Sequence, residues 1–470
     1  MMSVCEQCRL FYHFTPPQNW MNDPNGLIYA GGVYHLYYQY NPYGTAWGHM
    51  SWGHAVSPDL LHWDHWPVAI LEEPEQGYTI FSGSAVLDRA NAAGFGVGAL
   101  VAVYTADYRE LHLETVHIAY SLDGGRTFTK YAGNPVIDVG ESKFGDPKVF
   151  WHAESGKWVL VAICGEPQGH AVLYGSTDLK RWEKLSEFHA PAAAPDIWEC
   201  PDLFPLPVDG DPQRLRWVFK VNCVKPAGTP YNSRYFVGDF DGTAFIHAGP
   251  LGAAFTVDGG AFYAEVTYND IPTGERVMLG WLRQLPHAER PWTGAQSLPR
   301  VLTLHGAPAG YELRQHPLPA LQTLRRSPAR LDDVALSGDV PLDVDVSDGA
   351  LEVLAEFTFG AEFTFGPEFT AGDTAECGIR LELAEGAATV GYAAGQLFVE
   401  HPGQPRLVVP LSPRDGRVRL HVFFDRDCVE VFGGEGEAGI ATWLDFGAAY
   451  RGLAVFGSRG VRATVAAFSI

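Results

Sequence analysis

"HAVSPDLLHW" at 54–63 returns as "IAYSLDGGRTF" at 118–128 and "LYGSTDLKRW" at 173–182, with a looser copy, "FVGDFDGTAF", at 236–245. Each copy runs an apolar strand into a polar turn and then an aromatic, the punctuation of a β-sheet unit rather than of a helix. Ser57, Ser121 and Ser176 stand 64 and 55 residues apart, so the repeating unit is about 60 residues long. Runs such as "VYHLYYQY", "LVAVYT" and "KWVLVAIC" supply further strands. Residues 1–318 then hold five units, and five four-stranded blades of a β-propeller are the most economical arrangement.

From residue 331 the pattern becomes "PLDVDVSD", "LEVLAEF", "CGIRLEL", "RLVVPL" and "RLHVFFDRDCVEVFGG". Turn signals recur about every 10 residues, which predicts a β-sandwich. The stretch "ELRQHPLPALQTLRRSPARL" between the two regions reads as helical and basic. The expectation is an all-β chain: propeller 1–318, linker 319–330, sandwich 331–470. "AEFTFG" at 355–360 recurs at 361–366 and, as "PEFTAG", at 367–372; we read this as a tandem duplication lengthening one strand or loop.

A chain of 470 residues, 46% hydrophobic, is long enough for two domains with sizeable cores. With 33 Lys+Arg against 55 Asp+Glu, the net charge of -22 repels phosphate backbones and anionic lipid surfaces, so neither nucleic acid nor membrane is an expected partner. The 13 Trp, 20 Tyr and 27 Phe suit β-sheet cores and flat platforms for sugar rings. Cysteines at 5, 8, 164, 200, 223, 377 and 428 are too few and too scattered for a disulfide scaffold. Cys5 and Cys8 have CxxC spacing without a matching second pair, and are read as free thiols; no metal is expected. The opening "MMSVCEQCRLFYHF" lacks a basic region followed by an apolar core, and a cytoplasmic location is the expectation.

In a propeller the innermost strand of every blade faces one axis, so polar residues recurring at the blade period converge. Asp23 in "WMNDPNG", Ser82 in "FSGS", Asp146 in "KFGDPKVF", Glu199 in "WECPD" and either Asp258 or Tyr263 in "VDGGAFYA" fall at steps of about 60 residues. Acids crowded together among tryptophans repel and lose hydration, so their proton affinities should spread apart. One then holds a proton while another stays ionised, the minimum machinery for cleaving an acetal between two carboxyl groups.

These motifs, with "GWLRQ", "PWTGAQSLPRVLTL" and the late "FFDRDCVEVF", closely resemble glycoside hydrolase family 32, the invertases, inulinases and levanases. The resemblance runs from about residue 11 onward and implies a five-bladed propeller followed by a β-sandwich. It also implies retaining, exo-acting hydrolysis of terminal β-fructofuranosides through a covalent fructosyl-enzyme, without a cofactor. Sucrose and short fructans are the implied substrates. Asp23 resembles the family's nucleophile, Glu199 its general acid/base and Asp146 its transition-state stabiliser. Asn22, Gln39, Trp47, Phe81 and Ser82 match positions lining the fructose pocket; Tyr263 and Trp281 are further candidates. Cys200 is expected in the pocket wall, tuning the neighbouring acid.

The sequence departs from the family at two points. Arg-Asp-Pro is the usual motif, and here Gly145 stands in the arginine's place. That removes a charge-assisted donor worth about 2 to 4 kcal/mol in transition-state binding. Lys143 and Lys148 lie nearby, and neither is assigned the arginine's role. "FTVDGGAFYA" also lacks the Asp-Tyr-Gly order. Two alternatives therefore stand beside hydrolysis: a sugar-binding protein with lost or reduced turnover, and a fructosyltransferase.

Overall fold

The computed structural model describes residues 9–165, 169–190, 197–224, 232–249, 255–256, 258–284, 290–308, 310–360, 375–444 and 449–470. Its described residues are almost entirely strand and turn, interrupted by three short 3-10 helices. The second and third copies in the 355–372 repeat and the Cys5/Cys8 pair lie outside them.

Blades I to III are antiparallel meanders in chain order. Blade I runs through Asn19–Ala30, Val33–Asn41, Ser51–Ser57 and Asp64–Ile70; blade II from Thr79–Asp88 to Thr129–Lys130; blade III from Phe144–His152 to Glu183–Phe188. Blade IV begins with Ile197–Val208, Asp211–Val224 and Asn232–Phe240, and blade V with Phe262–Thr267, Val277–Leu282 and Arg300–Ala307. Two features close the ring of the five-bladed propeller. Trp292 and Thr293 pair in parallel with Asn19 and Trp20, adding a late strand to the first sheet. At the axis, Asn269 N–H donates to Leu27 O, and Tyr29 N–H to Asn269 O.

Between these inner strands the blades are laced by buried polar side chains. Asn25 Oδ1 accepts from Gly83 N–H, and Ser84 Oγ donates to Pro147 O while accepting from Val149 N–H. Lys148 donates to Thr267 O beside Asp202, whose Oδ2 takes both the N–H and the hydroxyl of Thr267. Asn269 Nδ2 donates to Ala85 O and Val149 O. Polar groups withdrawn from water are tolerable because most find a partner on another blade. Around this lacing the blade faces are apolar, as where Val103, Ile118, Phe144, Leu160 and Tyr174 pack between blades II and III.

The sandwich has two six-stranded antiparallel sheets. Alternate residues of Ala350–Phe359, Glu376–Leu383 and Arg417–Asp425, including Val353, Phe357, Ile379, Leu381, Val422 and Phe424, fill one core, the period-2 pattern of a half-buried strand. The acids of "FFDRDCVEVF" are structural: Asp425 accepts from the N–H groups of Phe11, Tyr12 and His13, and His13 bridges Asp425 and Glu430 at 2.8 and 3.0 Å.

The stretch read as helical is helical only over one short 3-10 segment. Gly310–Pro317 is a strand, Pro319–Leu324 a 3-10 helix, and Arg326–Ala335 a strand of the sandwich. Leu313 and Gln315 turn inward at alternate positions, and Pro328 sits at a register slip in an edge strand, where a residue without an N–H is tolerated. By contacts, Thr15–Val257 with Tyr263–Glu312 form one compact unit; the segment ending at Phe14, Asp258–Phe262 and Leu313–Ile470 form the other.

Candidate active site

Inner strands are interrupted near one end of the axis. Registers slip between Met21 and Pro24, between Ile80 and Gly83, opposite Gly145–Lys148, and between Glu199 and Asp202. A bulge sets two residues against one and re-aims a side chain. Asp146, Cys200 and Ala264 have φ of 53, 46 and 55°, left-handed backbone costing non-glycine residues about 1–3 kcal/mol each. These strained turns bring the expected carboxylates together.

Ser82 Oγ donates to Asp23 Oδ2 at 2.6 Å and Asn22 Nδ2 to Asp23 Oδ1 at 3.1 Å. Asn22 is itself fixed, its Oδ1 by Trp20 Nε1 and its carbonyl by Gln296 Nε2, both at 2.8 Å. Asp146 Oδ2 accepts from Cys200 N–H at 3.0 Å, and the Cys200 thiol lies 3.7 Å from Asp23 Oδ2 and 3.8 Å from Asp146 Oδ2. Glu199 is held at both oxygens: Lys143 Nζ donates to Oε1 at 3.1 Å and Tyr263 OH to Oε2 at 2.7 Å.

Burial pushes the Asp23 carboxyl up to about 6, with the charges of Asp146 and Glu199 adding to it and the Ser82 and Asn22 hydrogen bonds opposing. Burial also raises Asp146, against the pull of Lys143. Glu114, whose Oε2 accepts from Phe144 N–H, is raised to about 7, chiefly by burial. Burial works against the Lys143 ammonium, but Glu199, Asp146 and Glu114 outweigh it and hold it charged.

The small residue at 145 has a steric cause. A Cβ there would lie 2.6 Å from Thr105 Oγ1 and 2.8 Å from Thr105 Cγ2. Thr105 fills that space, accepting from Asp146 N–H at 2.8 Å and donating to Ser82 O at 3.2 Å. Lys148 points instead into the lacing between blades.

Asp23, Asn22, Ser82, Asp146, Glu199, Cys200 and Tyr263 form one contact network. Gln39 is buried opposite the Met21–Pro24 bulge, with its Nε2 unpaired. Trp281 packs edge-on against Trp20 and clusters with Cys200 and Tyr263. Trp47, 45% exposed, stands 6.2 Å from the Phe81 ring, with the Arg109 guanidinium over it at 4.5 Å.

Two expectations need correction. Asp258 is buried elsewhere, its Oδ1 accepting from Gly260 and Ala441 N–H; Tyr263 is blade V's contribution. Cys200 points toward Asp23 and Asp146 rather than serving its neighbour Glu199, because left-handed backbone at residue 200 makes consecutive side chains diverge. Burial and those acids keep its thiol protonated, so it can donate. Lys143, Thr105 and Glu114 belong to the site without having been assigned to it; no spacing marks them, since their contacts arise only where blades II, III and IV meet.

A larger cavity, about 680 Å³, is lined by residues at the opposite ends of the inner strands, including Asp88, His152 and Asp270, with Trp151, Trp158 and Trp217. Two of its acids are already engaged: Asp88 accepts from Ala92 and Ala93 N–H, and Asp270 pairs with Arg89. Among the described residues His170, Glu187 and His189 bring metal-type ligand atoms within 4.8 Å of one another. They lie outside the carboxylate network, and Lys184 already occupies Glu187 at 2.6 Å.

Family models for the glycosyl hydrolases family 32 N-terminal domain and C terminal match residues 13–317 and 320–470. A levanase of Bacillus subtilis is 41% identical, covering 97% of this chain and 69% of that protein. The exo-inulinase of Aspergillus awamori superposes with a TM-score of 0.86 at 33% identity, covering 98% of each chain. A β-fructofuranosidase of Schwanniomyces occidentalis, solved with fructosyl-erythritol, gives 0.88 at 29% identity, covering 100% of this chain and 99% of that one. Matched along both of its regions, the chain belongs to glycosyl hydrolase family 32.

Proposed function

We propose that this exo-acting β-fructosidase releases terminal fructose from sucrose and short fructans, with Asp23 as nucleophile, Glu199 as proton donor and Asp146 as the group gripping the sugar. The observation carrying this reading is the convergence of three carboxyl groups from three blades, each with a different set of partners. Asp23 Oδ attacks the fructosyl C2 as the C2–O bond to the leaving group breaks, and Glu199 gives its proton to the departing oxygen. The Glu199 carboxylate then takes a proton from water, whose oxygen attacks C2, and the ester to Asp23 breaks to restore the carboxylate. Asp146 is placed for hydrogen bonding to sugar hydroxyls by its Thr105 and Cys200 contacts, and Gln39 Nε2 offers a free donor.

Positive charge among the acids supports turnover over a binding-only role: the cation missing at residue 145 is supplied from residue 143. Incubation with sucrose, inulin and levan, followed by assay of released fructose, tests the reading. No fructose from any of the three would refute it, and oligosaccharides larger than the starting sugar at high sucrose would favour transfer.

A further inference from the structure

Lys143 takes one oxygen of Glu199 and Tyr263 the other, so donors from blades III and V grip one carboxyl group between them. The lysine side chain is 20% exposed and that of Glu199 28%. Its backbone is firmly rooted: Lys143 O accepts from Gly165 N–H, the next N–H is taken by Glu114, and Phe144 is fully buried. Thr105 leaves no room for a side chain at residue 145. The cation therefore arrives from two residues earlier, just before the strand Phe144–His152 begins.

We propose that Lys143 is a positioning residue for the reaction, fixing Glu199 against Tyr263 for proton delivery to the leaving oxygen and offsetting the negative charge around the sugar. This inference rests on the reading of Glu199 as the proton donor. The groups facing Glu199 are Lys143 and Asp146 from blade III, Tyr263 from blade V with Arg283 over its ring, Asp23 from blade I and Cys200 from blade IV; Glu114 of blade II faces Lys143. Without Lys143 one of the two donors gripping Glu199 is lost, and its carboxyl group is no longer held in place.

The test uses the full chain with two substrates: sucrose, and an aryl β-fructofuranoside whose leaving group needs little protonation. Lys143→Met should lower kcat on sucrose about 10- to 100-fold and kcat on the aryl substrate less than about threefold. Lys143→Arg should restore most of the sucrose activity. Unchanged kcat on sucrose would overturn the proposal; so would equal losses on both substrates, the mark of a purely structural role. If thermal unfolding shows Lys143→Met misfolded, Lys143→Gln carries the same readings. Glu199→Gln separates the two levels: sucrose turnover retained there defeats the functional reading itself, whereas turnover lost there but unaffected by Lys143→Met defeats only this inference.

Discussion

Two layers of the same inner strands carry similar side chains to different ends. In the upper layer stand Asp23, Ser82, Asp146, Glu199 and Tyr263; two or three residues further along stand Asn25, Ser84, Lys148, Asp202 and Glu265. The lower groups are spent on one another: Lys148 on Asp202 and Thr267, Lys220 on Glu265 and Asn222. The upper acids are gathered by strained bulges and face mostly like charge, so burial and mutual repulsion keep Asp23 close to its protonation point. The same residue types hold the propeller together where they are paired across blades, and become reactive where the backbone re-aims them to one point.

The largest effect should come from the upper layer. Asp23→Asn should lose on the order of 10⁴-fold in kcat, with an unfolding midpoint close to wild type; a large loss of stability instead would collapse the contrast between layers. Asp202→Ala should do the reverse. It strands the buried Lys148 beside Thr267, at a cost of about 3–5 kcal/mol, read as a lowered urea midpoint, while the molecules still folded keep most of their activity.

Gly145→Arg sharpens the comparison at the strand where the layers meet. Restoring the family arginine should reduce activity rather than raise it, because the new Cβ must displace Thr105 and loosen Asp146, with overpacking of about 1–3 kcal/mol. Adding Thr105→Ala should recover part of the loss; activity well above wild type from Gly145→Arg alone would contradict the steric account.

The smallest effect is in the pH profile. Asp23 attacks only when ionised, so kcat/KM should fall as pH drops through about 6, the value to which burial raises its carboxyl group. Ser82→Ala removes a hydrogen bond that favours the charged form, and should move this acid limb upward. An acid limb near pH 4 in wild type would mean the carboxyl is better solvated than its surroundings imply.

The sequence determined the repeating strand units, and with them the three carboxylates and Ser82. One inner strand per blade at a near-constant period places one residue per blade at the axis, whatever the loops do. It also carried Gly145 as an anomaly without its cause. Asp258 and Tyr263 lie five residues apart in one motif that does not separate them, and only the fold turns the first away to accept from Gly260 and Ala441 N–H. Tertiary structure alone decided that Thr105, 41 residues from Asp146, fills the place of a side chain at 145, and that Lys143 reaches Glu199 across 56 residues of chain. Periodicity specifies which residues face the axis; which of them touch depends on bulges and on the packing of one blade against the next, and no local pattern encodes that.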